Sequence, residues 1–500
     1  MPAFFPKLSR PQKALLLLAA LLFLSFAIGV SLTRRPWCDE AWFASAGFNL
    51  AAHGKLATSI ITPAVDDPKT IGLSQRTYWV MPLHLLLQAA VYKAFGFNLF
   101  TLRSISVIWG LGSLVSWFVI VRVLTRSSEM AALTAVLLGT DYVFILRSAD
   151  GRMDMMASSL AYAGLAAYLV LRNRSLPLAI LVSHSLVVLS GLTHPNGGLL
   201  GLADLIFISL LCDRRAIKSR HVAIAFIPYV AGSLGWSLYI AQDPGLFLIQ
   251  FGSNASHRLS GFLAPLDALR REVAQRYLAA FGHQPGTSAF GNLKILPLIG
   301  YLVGLGGTLA SPELRKRTGV RALLAITGIH LVYLTLLDSV KHPAYLVYAM
   351  PVFCAVLAVR VGRLWTDRRF PSTLVAAAVG FMILLQLALV GNLIRRNLYR
   401  NSYLVAAEFL KKHAGPPARI VGEPEFGFDL GFDGLLQDDR RLGFYSHELA
   451  DFVVIGEDYP KTFAIFQKER PEIGRYVKET LSSKYRPVFQ NDLYTIFARR

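Results

Sequence analysis

Apolar residues dominate the chain in stretches of about 20, the length of helix needed to cross a hydrocarbon core, and short polar loops separate them. Such stretches occur near 12–32, 103–123, 130–147, 155–172, 176–192, 197–212, 222–241, 294–310, 319–337, 344–361 and 371–392. They predict roughly eleven membrane-spanning helices. The first follows a basic MPAFFPKLSRPQK segment, and no small-residue cleavage site precedes Arg34-Arg35-Pro36, so it reads as an uncleaved span.

The segment 81–97 (MPLHLLLQAAVYKAFGF) is apolar but short and carries His84, Gln88 and Lys93. Counting it as a span or as a helix lying at the interface reverses everything downstream. If it lies flat, Arg122/Arg126, Arg172/Arg174, DRRAIKSR, ELRKRTGVR and RVGRLWTDRR all fall on the side of Lys7, Arg10 and Lys13. The positive-inside rule then holds along the whole chain, and the flat reading is preferred. It sends the loop 33–102, the short loop 148–154, Thr193–Asn196, the long loop 242–293, the turn DSVKHP and everything after about 393 to the extracytoplasmic side.

The tail changes character. SYLVAAEFLKKH reads as a helix, RIVG and DFVVIG as strands, and a further helix leads to a final strand pair, RPVF and LYTIFAR. The expected architecture is an α-helical polytopic membrane module over 1–393 followed by a small soluble α/β domain over 394–500. Neither an internal repeat nor the inverted pseudo-symmetry common among transporters is visible.

Composition agrees with the pattern. At 54% hydrophobic and 16% charged residues, a water-soluble protein would lack the polar surface to cover itself. The net charge of +20 sits in short runs between apolar stretches, not on a polar domain with interleaved aromatics, which argues against nucleic-acid binding. Cys38, Cys212 and Cys354 give neither a disulfide framework nor a cysteine metal site.

Candidate chemistry gathers in the loops on one side. Asp39 and Glu40, in WCDEAWFASAGFNLAAHGK, open an amphipathic helix directly after the first span. Carboxylates are favoured at a helix N-terminus by the macrodipole alone, and the alternative is a general base aimed at a substrate on the membrane surface; spacing leaves both open. Arg147, Asp150, Arg152 and Asp154 fill the loop 148–154 and its edge, either as a solvated turn with snorkelling arginines or as part of a shared site. His194 in THPNGG and Lys341, His342 and Tyr345 in DSVKHPAYLVYAMP are expected at the rim, where a lipid phosphate would lie; taken singly, Lys341 reads as an interfacial anchor and His194 as a capping residue, and it is their convergence that argues for cations at a phosphate site. The long loop adds Arg258, Arg270, Arg271 and Arg276 in a pattern suited to a surface helix. Asp204 and His184 are the polar exceptions within spans; packing or hydrogen bonding between helices is the preferred reading, with a proton relay as the alternative.

Taken together, the Asp-Glu pair after an uncleaved span, the Pro-containing helix ending AFG, the TLRSISVIWGLGSL span, Asp154 in RMDMMAS and the late KHPAYLVYAMP string resemble the lipid-linked-sugar glycosyltransferases of the GT-C fold. More narrowly, they are similar to dolichyl-phosphate-mannose protein mannosyltransferases and bacterial aminoarabinose transferases. The similarity covers most of the chain in order and hydropathy, and its sharpest motif is the Asp-Glu pair.

The resemblance implies a transferase with a polyprenyl-phosphate sugar as donor, Asp39 in the place of the catalytic aspartate with Glu40 beside it, and Asp154 as the second-loop acid. His342 and Tyr345 fall in the late Lys/His-Pro-x-Tyr-like string, and His194 stands where many relatives carry Lys. With His194, Lys341 and His342, and Arg258 as a further cation, these residues would bind the donor phosphate and lipid. Where aminoarabinose-type relatives have Glu-Lys-Pro this chain reads Trp79-Val80-Met81, which argues against lipid A as acceptor and against a metal held by that glutamate. No cofactor is assigned, and assistance by a divalent cation is left open. A Trp-Trp-Asp signature is absent, which argues against transfer of whole glycans to asparagine.

The chemistry has its own logic. An alkoxide leaving group needs an acid, whereas a lipid phosphate departs as a stable anion, so one base and nearby donors suffice. The rival readings are a transporter or flippase for a lipid-linked or anionic solute, which calls for mid-membrane charges and broken helices, and an assembly factor whose external tail binds partners.

Overall fold

The computed structural model describes residues 8–259, 264–282, 288–367, 369–415 and 418–500. Among them, ten helices are long and apolar enough to cross a membrane, and the bent pair Ser128–Gly139 and Tyr142–Ser148, turned by 66°, supplies an eleventh. The bend has a visible cause. Thr140 hydrogen-bonds back to Val136, ending the first helix, and Asp141 caps the second by accepting the Phe144 N–H at 2.7 Å. The chain is a multi-pass α-helical membrane protein with a small strand-containing C-terminal region.

Residues 1–30, 105–239 and 256–392 form the first compact unit. At its centre the span Pro343–Thr366 is almost entirely buried, whereas Ser219–Ile240 is mostly exposed. Helix Asp154–Leu171 packs closely on Pro195–Asp213 because small residues face each other. A Cβ added to Gly197 would come within 2.8 Å of the Ala157 Cβ, and one added to Gly201 within 2.9 Å of that of Ala161. This contact brings together the two helix N-termini that begin at Asp154 and Pro195.

Residues 31–104, 240–255 and 393–500 form the second unit. Its five strands, β1 (Ile420–Gly422), β2 (Leu436–Gln437), β3 (Phe452–Ile455), β4 (Tyr485–Gln490) and β5 (Thr495–Arg499), lie in the order β2-β1-β3-β5-β4. Pairing is parallel among the first three and antiparallel in the other two contacts. The strands expected at RIVG, DFVVIG, RPVF and LYTIFAR are present, and the two-residue β2 carries too little pattern to be read in advance.

The segment 394–500 clusters with 31–104 because they share a core. Ala41, Ala44, Ile60, Tyr92 and Leu102 pack with Tyr403, Phe426, Val454 and Ile496 in one apolar cluster. The Asp438 N–H also donates to Ile60 O at 2.7 Å, extending the sheet into the loop. Helix Pro82–Phe95 has 14 residues, about 21 Å at 1.5 Å per residue, too short for a core of about 30 Å. Its polar residues His84 and Gln88 are buried, and Gln88 lies against Gly47 of helix Cys38–His53.

Candidate functional site

Asp39 sits in the first turn of helix Cys38–His53 in the second unit, half-buried. The Cys38 thiol points to its Oδ1 at 3.7 Å. Burial, with the nearby Asp458 charge, pushes that thiol up, so it remains protonated. The turn carrying Asp39 is gripped from several directions. Arg103 donates to the carbonyls of Ser31, Arg34 and Arg35 at 2.9, 2.8 and 3.1 Å. Arg35 pairs with Glu425 at 3.4 Å and with Glu457, and Trp42 Nε1 donates to Asp438 at 2.9 Å.

Glu40 has a different role from the one expected. Its two carboxylate oxygens accept from Arg103 Nε and Nη2, each at 2.7 Å, and both side chains are fully buried. A carboxylate with both oxygens held in a bidentate ion pair is a poor proton acceptor, so Glu40 anchors this turn. Arg103 went unread in the sequence. A lone arginine one turn inside an apolar span, with an acid among the loop residues before it, was the available signal.

In the first unit the loop acids and the His-Pro turns converge. Asp154 Oδ2 accepts from Arg152 Nε at 2.7 Å, and Arg147 donates to Asp150 at 3.0 Å. Asp154 Oδ1 is buried without a hydrogen bond among the described residues, with His194 Nε2 at 4.0 Å. The His194 ring lies 5.4 Å from that of Tyr345, and Arg258 Nη1 donates to the Tyr345 hydroxyl at 3.2 Å. The His342 ring is 6.2 Å from Tyr345.

The two histidines share one local device. In His194-Pro195 and again in His342-Pro343, the imidazole Nδ1 accepts the backbone N–H two residues on, at 3.2 Å in both, and Pro occupies the first position of the helical segment that follows. The ring proton is therefore on Nε2. Burial lowers His194 to about 3, with Arg258 and Arg152 adding to the effect and Asp154 opposing it, and burial with Arg152 and Arg147 takes His342 well below its ordinary value. These residues are neutral N–H donors and not the cations of the phosphate reading, and His194 caps the helix Pro195–Asp213, as its single-residue reading expected.

Lys341 is corrected as well. Its ammonium donates to the carbonyls of Leu334, Thr335 and Asp338 at 2.8, 2.6 and 2.6 Å and lies 3.4 Å from Glu272, with the side chain essentially buried. It closes the C-terminal end of the preceding span and offers no charge to a ligand. Arg276, expected on a surface helix, is likewise buried, pairing with Glu272 at 2.8 Å and with Asp338. Arg270 and Arg271 are exposed as expected. Arg258 therefore supplies the half-buried positive charge that faces Tyr345. Its guanidinium stays charged, because Tyr345, Asp338 and Asp154 outweigh the burial that would lower it.

Within the spans, Asp204 Oδ2 lies 2.8 Å from His330 Nε2, and His330 Nδ1 is 2.7 Å from Tyr348 O. His184 bonds Tyr229 at 2.9 Å. Both are helix-to-helix ties, as expected, although His330 was missed as the partner. Among the described residues no group of three or more His, Cys, Asp or Glu side chains is placed to hold a metal ion.

No protein-family model matches the sequence, and no curated protein is significantly similar to it. Solved structures do match. ArnT from Cupriavidus metallidurans bound to undecaprenyl phosphate aligns with a TM-score of 0.63 at 15% identity, over 98% of this chain and 98% of that one. The chain has the GT-C fold. The apo form of the same ArnT gives 0.60 at 14% identity, over 97% and 98% of the two chains. The archaeal oligosaccharyltransferase AglB from Archaeoglobus fulgidus, in complex with an inhibitory peptide and a dolichol-phosphate, gives 0.54 at 14% identity, over 95% of this chain and 69% of that one. With so little sequence shared, what is common is the fold.

Proposed function

We propose that this chain is a membrane glycosyltransferase that moves a sugar from a polyprenyl-phosphate donor to an acceptor hydroxyl, with inversion. The observation that carries the reading is a fold shared along 98% of both chains with a protein crystallised on undecaprenyl phosphate. The cluster around Tyr345 supports it from the residues upward. Arg258 and the Tyr345 hydroxyl, with the Nε2–H of His194, are suited to the donor's phosphodiester and to the lipid phosphate monoester that leaves, combining one charge-assisted donor with neutral ones. Asp154 acts as a positioning residue that orients Arg152.

Asp39 is the general base. It takes the proton from the acceptor hydroxyl as that oxygen bonds to sugar C1, the C1–O bond to phosphate breaks, and the electron pair leaves with the lipid phosphate, which needs no acid. The immobilised turn around Asp39 suits this role, because a base must be held in one geometry to act. The active side is extracytoplasmic, in keeping with the basic loops that gather at the other end of the spans.

The test is incubation of purified protein with radiolabelled polyprenyl-phosphate sugars and membrane extract, followed by isolation of labelled product. Asp39→Asn should fold normally and lose about 10²- to 10⁴-fold in rate, the usual worth of a general base. Wild-type transfer by that variant refutes Asp39 as base, and no transfer from any donor refutes the glycosyltransferase reading.

A further inference from the structure

A second feature of the first unit lies at the opposite end of its spans from His194. Helices Leu176–Thr193, Pro195–Asp213 and Ser219–Ile240 border a groove of about 400 Å³, lined by His184, Ile206, Leu210, His221, Phe226 and Tyr229 among others. Its volume falls within the range of small-ligand sites, roughly 300–1,000 Å³. The lining is apolar, and its polar groups are committed. His184 bonds Tyr229 at 2.9 Å, and His221 Nδ1 accepts the Lys218 N–H at 3.0 Å.

The loop at the groove's mouth is strongly basic. Arg214, Arg215, Lys218 and Arg220 are all exposed, and none makes an ion pair among the described residues. The neighbouring acid, Asp213, is already neutralised, accepting from Arg172 at 2.6 and 2.8 Å and from the Tyr168 hydroxyl at 2.8 Å. The loop also abuts the N-terminus of the 22-residue helix Ser219–Ile240, whose dipole favours an anion.

We propose that this groove and loop form a binding site for an anionic glycerophospholipid, with an acyl chain in the groove and the headgroup phosphate on Arg214, Arg215, Lys218 and Arg220. Charge selects the occupant. Four unpaired cations beside an apolar slot match a lipid that carries an anion at the end of a hydrocarbon chain, and a zwitterionic lipid offers them little net charge. The donor lipid is the wrong candidate here. Helix Pro195–Asp213 has 19 residues, which separates this loop from His194 by about 30 Å at 1.5 Å per residue. A polyprenyl phosphate engaged by Tyr345 could bring only neutral hydrocarbon to this end. The site is therefore separate from the proposed donor site and stands whether or not the transfer reaction does.

The experiment uses the full chain in detergent, incubated with an equal mixture of dioleoylphosphatidylglycerol and dioleoylphosphatidylcholine and examined by native mass spectrometry for retained lipid. The wild type should retain phosphatidylglycerol over phosphatidylcholine by about tenfold or more. The combined variant Arg214→Ala/Arg215→Ala/Lys218→Ala/Arg220→Ala should bring that ratio close to one, whereas Arg315→Ala/Lys316→Ala/Arg321→Ala, in another basic stretch, should leave it unchanged. Ala225→Phe, which fills the groove without touching the charges, should lower retention of the anionic lipid. Equal retention of the two lipids by wild type, a ratio that survives loss of the four cations, a ratio that falls as far in the other basic variant, or a filled groove that binds as before would each overturn the proposal.

Discussion

Replacing Arg103 tests whether Glu40 is an anchor and not a catalyst. Its guanidinium makes five hydrogen bonds, two to Glu40 and three to the carbonyls of Ser31, Arg34 and Arg35, and both members of the pair have zero side-chain exposure. Breaking a buried ion pair from one side costs about 3–5 kcal/mol because a charge is left buried and unpaired. Each orphaned carbonyl adds up to roughly 1–3 kcal/mol where water cannot reach it. Arg103→Met should therefore cost on the order of 5 kcal/mol, comparable with the total stability of many domains. Removing both charges relieves the penalty, so Glu40→Met/Arg103→Met should be markedly more stable than the sum of the single variants implies. The assay is thermal melting in detergent together with limited proteolysis of the 31–104 segment. An Arg103→Met protein that melts within about 2 °C of wild type refutes the reasoning, as does a double variant showing no coupling. In every variant that stays folded, activity should follow stability, whereas Asp39→Asn should lose activity alone.

Arg258→Ala should reduce kcat/KM by about 10- to 100-fold, and Tyr345→Phe by less, because the first removes the charge and the second only a hydroxyl; steady-state kinetics over donor concentration checks the order. Lys341→Met should lower the melting temperature through loss of three carbonyl contacts and the Glu272 pair, while donor KM in the folded fraction stays near that of wild type. Burial, helped by the Asp458 and Asp438 charges, raises the Glu423 carboxyl from 4.5 to about 7. Its folded state holds the proton more tightly than the unfolded chain, so this contribution to stability is complete below about pH 4.5 and fades as pH rises through 7. Glu423→Gln keeps an oxygen for the N–H groups of Gly456, Asp458 and Tyr459, so its melting temperature should fall less than that of wild type between pH 5 and 8.

The amino-acid order alone determined the membrane architecture, because crossing a hydrocarbon core demands about 20 apolar residues whatever the helix later packs against. Ten single helices and one bent pair stand where apolar runs were read, and the strands of the tail announced themselves by short β-rich segments between polar turns. Acids and His-Pro turns were legible as recurrent features of the loops. Their individual roles were not. That Glu40 is taken up in an ion pair depends on Arg103, 63 positions further along the chain, and whether Lys341 is a ligand or a cap depends on where the carbonyls of 334, 335 and 338 point. His194 and His342 look like cations in a sequence and become neutral donors because burial removes the water that would stabilise their charge and neighbouring arginines repel it. The shared core of 31–104 with 393–500 was equally invisible, since no local pattern records which distant apolar face a helix will meet. Hydropathy is a local quantity and survives reading one residue at a time, whereas protonation, ion pairing and domain boundaries are set by neighbours that only the folded chain supplies.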